Sequence, residues 1–145
     1  MSAQSRKIFV NLAVRDLKKS MAFYTALGFT NNPQFTNDQG ACMVVSGEAF
    51  VMLLTEPFFR TFTSRQICDT STHVEGLFAI SCASRAEVDE LVNTALSSGG
   101  SRAMDARDLG FMYSWTFVDP DGHQWEPVWM DPAAFQAMPQ QGGER

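Results

Sequence analysis

Apolar and polar positions fall into one order, and then into the same order again. Ile8 to Val14 alternates, with Val10, Leu12 and Val14 on one face and Phe9, Asn11 and Ala13 on the other, which is the period of a strand. Asp16 can cap a helix whose apolar positions, Leu17, Met21, Tyr24 and Leu27, recur at helical spacing. Gly28 stops it. A strand starts at Phe29-Thr30 and wanders through Asn31-Asn32-Pro33; two more run over Ala41–Val45 and Ala49–Leu54. The pattern restarts at Gly76–Cys82. Ser84 and Glu87 make a capping box, and Val88, Leu91, Val92, Ala95 and Leu96 form the stripe of a second helix that Gly99-Gly100 ends. A short strand around Arg102–Met104 follows, then Phe111–Val118 and Gln124–Met130. The last two are joined by Asp119-Pro120-Asp121-Gly122-His123, in which Pro120 and Gly122 suit a tight turn.

Each half therefore reads β-α-β-β-β. Thr25-Ala26-Leu27 recurs as Thr94-Ala95-Leu96, 69 residues on, while the caps Asp16 and Ser84 are 68 apart. One extra helical residue in the second half reconciles the two. An offset of 68 sets Val10, Leu12 and Val14 against Phe78, Ile80 and Cys82, so both first strands turn an apolar face to their helix. A repeat of this size implies two similar units packed into one sheet system. The predicted fold is α+β, with two β-α-β-β-β modules forming one cupped mixed sheet.

Thr55 to Glu75 lacks strand character. Phe58, Phe59 and Phe62 could pack one side of a short helix, and Ser64 to His73 reads as a linker or flap. The division is module one over about 7–55, linker about 56–75 and module two about 76–131, all within one domain of 7–131. Residues 132–145 are a short helix, capped by Asp131 with Pro132 at its first position, and a frayed tail from Gln140.

At 145 residues, 45% hydrophobic and 19% charged, the chain fits one ordinary globular domain. Its net charge of −5 argues against nucleic acid or an anionic membrane as partner. No apolar run approaches a membrane span, and Met1 to Lys7 leads into the first strand without an apolar signal segment, so a cytoplasmic location is expected. Cys42 and Cys82 sit in apolar strands and are expected as buried thiols; Cys68 lies in a polar stretch with no feature supporting a nucleophile.

Glu126 is the one charge inside the last strand, among Trp125, Pro127, Val128 and Trp129. It is either a carboxylate held by a structural partner or a ligand anchor and general base in an apolar cup. His123 lies three residues earlier, an odd step that puts it on the opposite strand face, so it reads as a structural residue of the turn. His73 is expected in solvent. Phe9, Phe50, Met52, Tyr113 and Trp115 are candidates to line a cup for a flat ligand, with Asn11 and Ser81 as polar positions on the non-helix faces of equivalent strands. Arg102 and Arg107 lie near the open edge of module two. No glycine elbow precedes a serine and no phosphate loop is present.

The Val14-Arg15-Asp16-Leu17 start with Ser20, Phe23-Tyr24 and Leu27-Gly28-Phe29, the duplicated order, and Asp119 to His123 with Glu126 resemble the vicinal oxygen chelate superfamily. This is the glyoxalase, bleomycin-resistance and extradiol-dioxygenase fold, and the resemblance spans about residues 7–131. Phe9-Val10-Asn11-Leu12, Met52-Leu53-Leu54 and Gly110-Phe111-Met112-Tyr113 look most like the group labelled predicted lactoylglutathione lyases. The resemblance implies homodimers, and members that use a metal place four ligands, usually His, Glu or His, His, and Glu, on the first and last strands of the two modules. Carried over by position, the last ligand is Glu126, while the first strands offer Phe9 and Leu77, and Phe50 to Leu54 offers no carboxylate, imidazole or thiolate. Glu126 is the only retained family ligand position, so no metal and no other cofactor is expected.

Two function classes follow. One is a metal-independent binder of a small planar or aromatic molecule in an apolar cup, with Phe9, Asn11, Met52, Leu77, Ser81, Tyr113 and Trp115 around it and Glu126 as a possible base. The other is a glyoxalase-type lyase or isomerase acting on a hemithioacetal or related substrate through zinc, nickel or manganese.

Overall fold

The computed structural model describes residues 5–136; the expected tail from Gln140 lies outside them. Module one comprises β1 (Ile8–Val14), α1 (Leu17–Ala26), β2 (Thr30–Asn32), β3 (Gly40–Val44) and β4 (Ala49–Thr55). The connecting segment holds α2 (Glu56–Phe59) and a 3-10 turn over Arg60–Phe62. Module two comprises β5 (Leu77–Cys82), α3 (Arg85–Ser97), β6 (Ser101–Arg102), β7 (Arg107–Asp108), β8 (Met112–Ser114), β9 (Phe117–Val118) and β10 (Gln124–Met130), before α4 (Pro132–Gln136). No helix is long and apolar enough to cross a membrane among the described residues.

The two sheets share one plan. In module one the order is β1-β4-β3-β2, with β1 parallel to β4 and the other pairs antiparallel. In module two β5 runs parallel to β10, and β10 pairs β8 and β9, which pair β7 and β6. The expected strand Phe111–Val118 is broken at Trp115-Thr116. Its partners along β10 are Glu126 and Pro127, and a proline has no N–H to give the ladder. Thr116 instead bonds the loop, its hydroxyl accepting from the Met104 N–H at 2.6 Å and donating to the Met104 carbonyl at 3.1 Å. Of the short strand expected around Arg102–Met104 only Arg102 is in a strand, β6, and β7 over Arg107–Asp108 is an additional one.

Capping follows the sequence. The Asp16 side chain accepts from the Lys19 N–H at 3.1 Å, and Gly28 ends α1 at φ +102°. Ser84 accepts from the Glu87 N–H at 3.1 Å, while the Glu87 carboxylate reaches back one residue further, to the Ala83 N–H at 2.6 Å.

The stripe of α1 is rotated from expectation. Ser20, Phe23 and Tyr24 are buried, whereas Leu17 and Met21 are only partly so. The reason is a second partner: α1 meets module two as well as its own sheet. Tyr24 packs on Trp125 and Phe23 on Phe117, with ring centroids 5.7 and 6.0 Å apart. One core thus holds Leu12, Val14, Met43, Val51 and Leu53 of module one with Val92, Ala95, Phe117 and Trp125 of module two. Ser20 Oγ is buried in it with no hydrogen-bond partner among the described residues. Ser20→Ala is expected to leave the protein as stable or up to about 1 kcal/mol more stable by denaturant unfolding, since an unsatisfied hydroxyl costs more than it returns; a loss above about 1 kcal/mol would show that the hydroxyl is satisfied.

Both sheets close their helix faces on this shared core. Among the described residues the modules therefore contribute two sheets with no strand hydrogen-bonded between them, packed as one sheet system around the shared core.

Candidate functional site

The face that each sheet turns away from its helix is open. On module one it carries Phe9, Asn11, Phe50 and Met52, because β1 and β4 pair Phe9 with Phe50 and Asn11 with Met52. Phe9 and Phe50 stack in parallel, centroids 4.8 Å apart and planes 13° from coplanar. Phe9 is 51% exposed, so this stack forms a surface rather than a core. With Lys7, Asn32, Phe35 and Cys42 these residues line a hollow of about 510 Å³. That volume suits a small organic molecule.

On module two the open face carries Leu77, Ala79 and Ser81 of β5 and Gln124, Glu126 and Val128 of β10. A second hollow of about 280 Å³ is lined by Leu77, Met104, Asp105, Arg107, Trp115 and Glu126, among others. Trp115, at the β8–β9 break beside Pro127, borders this space while packing on the shared core, and Arg102 lies over its ring at 5.8 Å. Glu126 makes no hydrogen bond or ion pair among the described residues.

Of the residues expected to share one cup, Phe9, Asn11 and Met52 lie together in the first hollow, and Leu77, Trp115 and Glu126 in the second. The hollows have no residue in common. Ser81 is exposed further along the module-two face, beside Cys82, Val128 and Met130. Tyr113 is a correction: it lies on the helix face, its hydroxyl donating to Asp89 of α3 at 2.6 Å, because it pairs Trp129 rather than Val128 on β10. Arg85 stacks over both Tyr113 and Trp129, which completes that side.

The register also fixes the repeat at the site. Leu77 corresponds to Phe9, and Glu126, opposite Ala79, corresponds to Met52, opposite Asn11. The four equivalent positions are Phe9, Met52, Leu77 and Glu126. They supply one carboxylate, one thioether and two hydrocarbon side chains, a set that does not fit a divalent ion such as zinc, nickel or manganese. No group of three His, Cys, Asp or Glu side chains that could hold an ion occurs among the described residues.

Between the modules lies a polar seam that the sequence did not reveal. The Asp119 carboxylate accepts from the Tyr24 hydroxyl at 2.5 Å and from the backbone N–H of Asp121 and His123, both at 2.9 Å. Trp125 Nε1 donates to the Tyr24 hydroxyl at 2.9 Å. Burial raises the Asp119 carboxyl above the usual range, against the pull of His123, Tyr24 and the backbone donors. Burial and the Asp119 charge push the Tyr24 phenol well up. Asp121 accepts from the Arg15 backbone at 2.9 Å and its guanidinium Nε at 3.1 Å. His123 Nε2 lies 2.8 Å from the Ala13 carbonyl, and Nδ1 lies 2.5 Å from the Glu75 carboxylate. His123 is thus structural and turned from Glu126, as the odd step implied. The turn's Gly122, at φ +92°, lies against Thr70, whose hydroxyl donates to the Asp121 carbonyl, tying the segment read as a linker or flap to the turn.

His73 is exposed, as expected, with Nδ1 2.7 Å from the Thr72 hydroxyl. The three cysteines are free; Cys42 is buried and Cys82 half-buried, its thiol pushed up to about 11 by burial and by Glu87.

A family model for the N-terminal part of bleomycin resistance protein-like proteins matches residues 6–46. No curated protein matches the sequence. Among solved structures, a hypothetical protein from S. aureus is 29% identical, with a TM-score of 0.72, over 87% of this chain and 95% of that one. A glyoxalase/bleomycin resistance protein/dioxygenase family enzyme from Burkholderia phytofirmans is 16% identical, with a TM-score of 0.72, over 84% of this chain and 96% of that one. A lactoylglutathione lyase from Agrobacterium tumefaciens is 20% identical, with a TM-score of 0.66, over 88% and 95%. By its two-module architecture and its structural neighbours, the chain has the glyoxalase/bleomycin-resistance/dioxygenase fold, and its N-terminal part is similar to bleomycin resistance protein-like proteins.

Proposed function

We propose that the protein is a metal-independent binder of a small planar or aromatic molecule, held on the open face of module one. The observation that carries this reading is the Phe9–Phe50 stack. It places two parallel rings at the floor of the larger hollow, with Phe9 at a position where the family resemblance would imply a metal ligand. A flat ligand stacking there gains apolar burial and about 0.5–1.5 kcal/mol of ring–ring interaction.

The assembly belongs to the same proposal. β1 and β5 are both sheet edges, and Ile8 and Leu77 on them are 61% and 65% exposed. A homodimer pairing β1 of one protomer with β5 of its partner would set the Phe9–Met52 face beside a Leu77–Glu126 face. The alternative, a glyoxalase-type lyase using a divalent metal, keeps one supporting observation: Glu126 is an uncommitted carboxylate in an open hollow.

The test combines metal analysis of protein purified without chelator, light scattering, and calorimetric titration with 2-naphthamide, a neutral flat probe. We expect no stoichiometric zinc, nickel or manganese, a mass twice that of the chain, and probe binding weakened about tenfold or more in Phe9→Ala. A stoichiometric ion lost in Glu126→Gln, with lyase activity on adding nickel or zinc, would overturn the reading.

A further inference from the structure

We infer that the module-one hollow selects a planar aromatic anion, an aryl carboxylate in the simplest case, through Lys7 and Asn32. This rests on the function proposed above and narrows its ligand class. The lining contains one charged residue, Lys7, and no acid, in a chain of net charge −5. Lys7 has no carboxylate partner among the described residues. Its ammonium lies 6.0 Å from the Phe50 ring centroid and gives one hydrogen bond, at 3.1 Å, to the Gly47 carbonyl. Two of its three donors are left.

The amides add direction. Asn32 Oδ1 accepts from the Gln34 N–H at 3.0 Å, which leaves its NH₂ group as the free end. Asn11 Nδ2 donates to the Phe9 carbonyl at 3.1 Å, which leaves its oxygen free. The hollow thus offers an ammonium and an amide donor at its rim, one acceptor on β1, and otherwise Phe9, Phe35, Phe50, Met52 and Cys42. An anionic group on a flat ring satisfies both donors and leaves the ring on the Phe9–Phe50 stack. A cation would be repelled by Lys7, and a neutral hydrocarbon would gain nothing from either donor, which would stay hydrated.

The experiment titrates the full chain with 2-naphthoate and with 2-naphthamide, which share a ring and differ in charge. Wild type is expected to bind the carboxylate about tenfold tighter, with the difference shrinking as salt rises. Lys7→Gln, checked as folded by circular dichroism and urea unfolding, is expected to remove the preference, bringing 2-naphthoate to the affinity that the same variant shows for the amide. Equal affinities in wild type, or a preference retained in Lys7→Gln, would overturn the anion selectivity and leave the aromatic-binding function standing. Failure of both probes to bind would overturn both.

Discussion

Asp119→Ala is expected to cost about 3–5 kcal/mol of folding stability, the largest effect of any single change at the module seam. Asp119 is 2% exposed and accepts three hydrogen bonds. Two hold the turn's own backbone, and the third holds Tyr24, which in turn accepts from Trp125. Truncation leaves a hydroxyl and two N–H groups buried without acceptors, and each costs on the order of 1–3 kcal/mol. Tyr24→Phe should cost less, about 1–3 kcal/mol, since it strands only Trp125 Nε1 and one carboxylate oxygen. The two should be coupled, because each removes the same 2.5 Å contact. Urea unfolding of both single variants and the double variant measures this. A loss below about 1 kcal/mol in Asp119→Ala, or full additivity, would show that the seam does not join the modules as described.

That seam also marks where sequence reading stopped. The modules, both helices, their caps and the strand order were legible because period-2 and period-3.6 patterns, capping residues and the internal repeat are local signals. That Glu126 is a lone charge in an apolar strand was legible from its neighbours, and the structure sets it in an open hollow. Tyr113 was misplaced because alternation alone does not say which face of Phe111–Val118 meets the helix; pairing with Trp129 and Trp125 puts Tyr113 and Phe117 on the helix face. The rotation of the α1 stripe toward Ser20 and Phe23 depends on a second sheet that nothing in 17–27 announces. Glu75 carried no signal at all: it is an acidic residue at the end of a polar stretch, and only folding sets it against His123, 48 residues away. The split of one expected cup into two hollows has the same origin, since alternation says which residues share a strand face but not which way two sheets turn their open faces.

Raising the pH above the ordinary histidine range is expected to weaken the protein through His123. Its Nε2 faces a carbonyl, which can only accept, so Nε2 carries a proton. Its Nδ1 faces the Glu75 carboxylate, so a second proton is held between them. Burial opposes the charged ring, but the Asp119 charge, the Ala13 carbonyl and Glu75 outweigh it and raise the His123 pKa above 6.5. A group bound more tightly to its proton in the folded state contributes stability that is fully present below its unfolded pKa. Here that is below about 6.5, and the stability is lost as pH rises through the higher folded value. Asp119, also raised, acts in the same sense but from 3.8 upward, on the acid side. Unfolding free energy should therefore fall from about pH 6.5 upward, by no more than about 1.4 kcal/mol per pH unit for this one proton. His123→Gln should be less stable at pH 6 and should lack this slope, so the two curves converge at alkaline pH as Glu75 and the segment behind it lose their charged partner. Parallel curves would mean that the ring is already neutral at pH 6 and that the contact with Glu75 holds no extra proton.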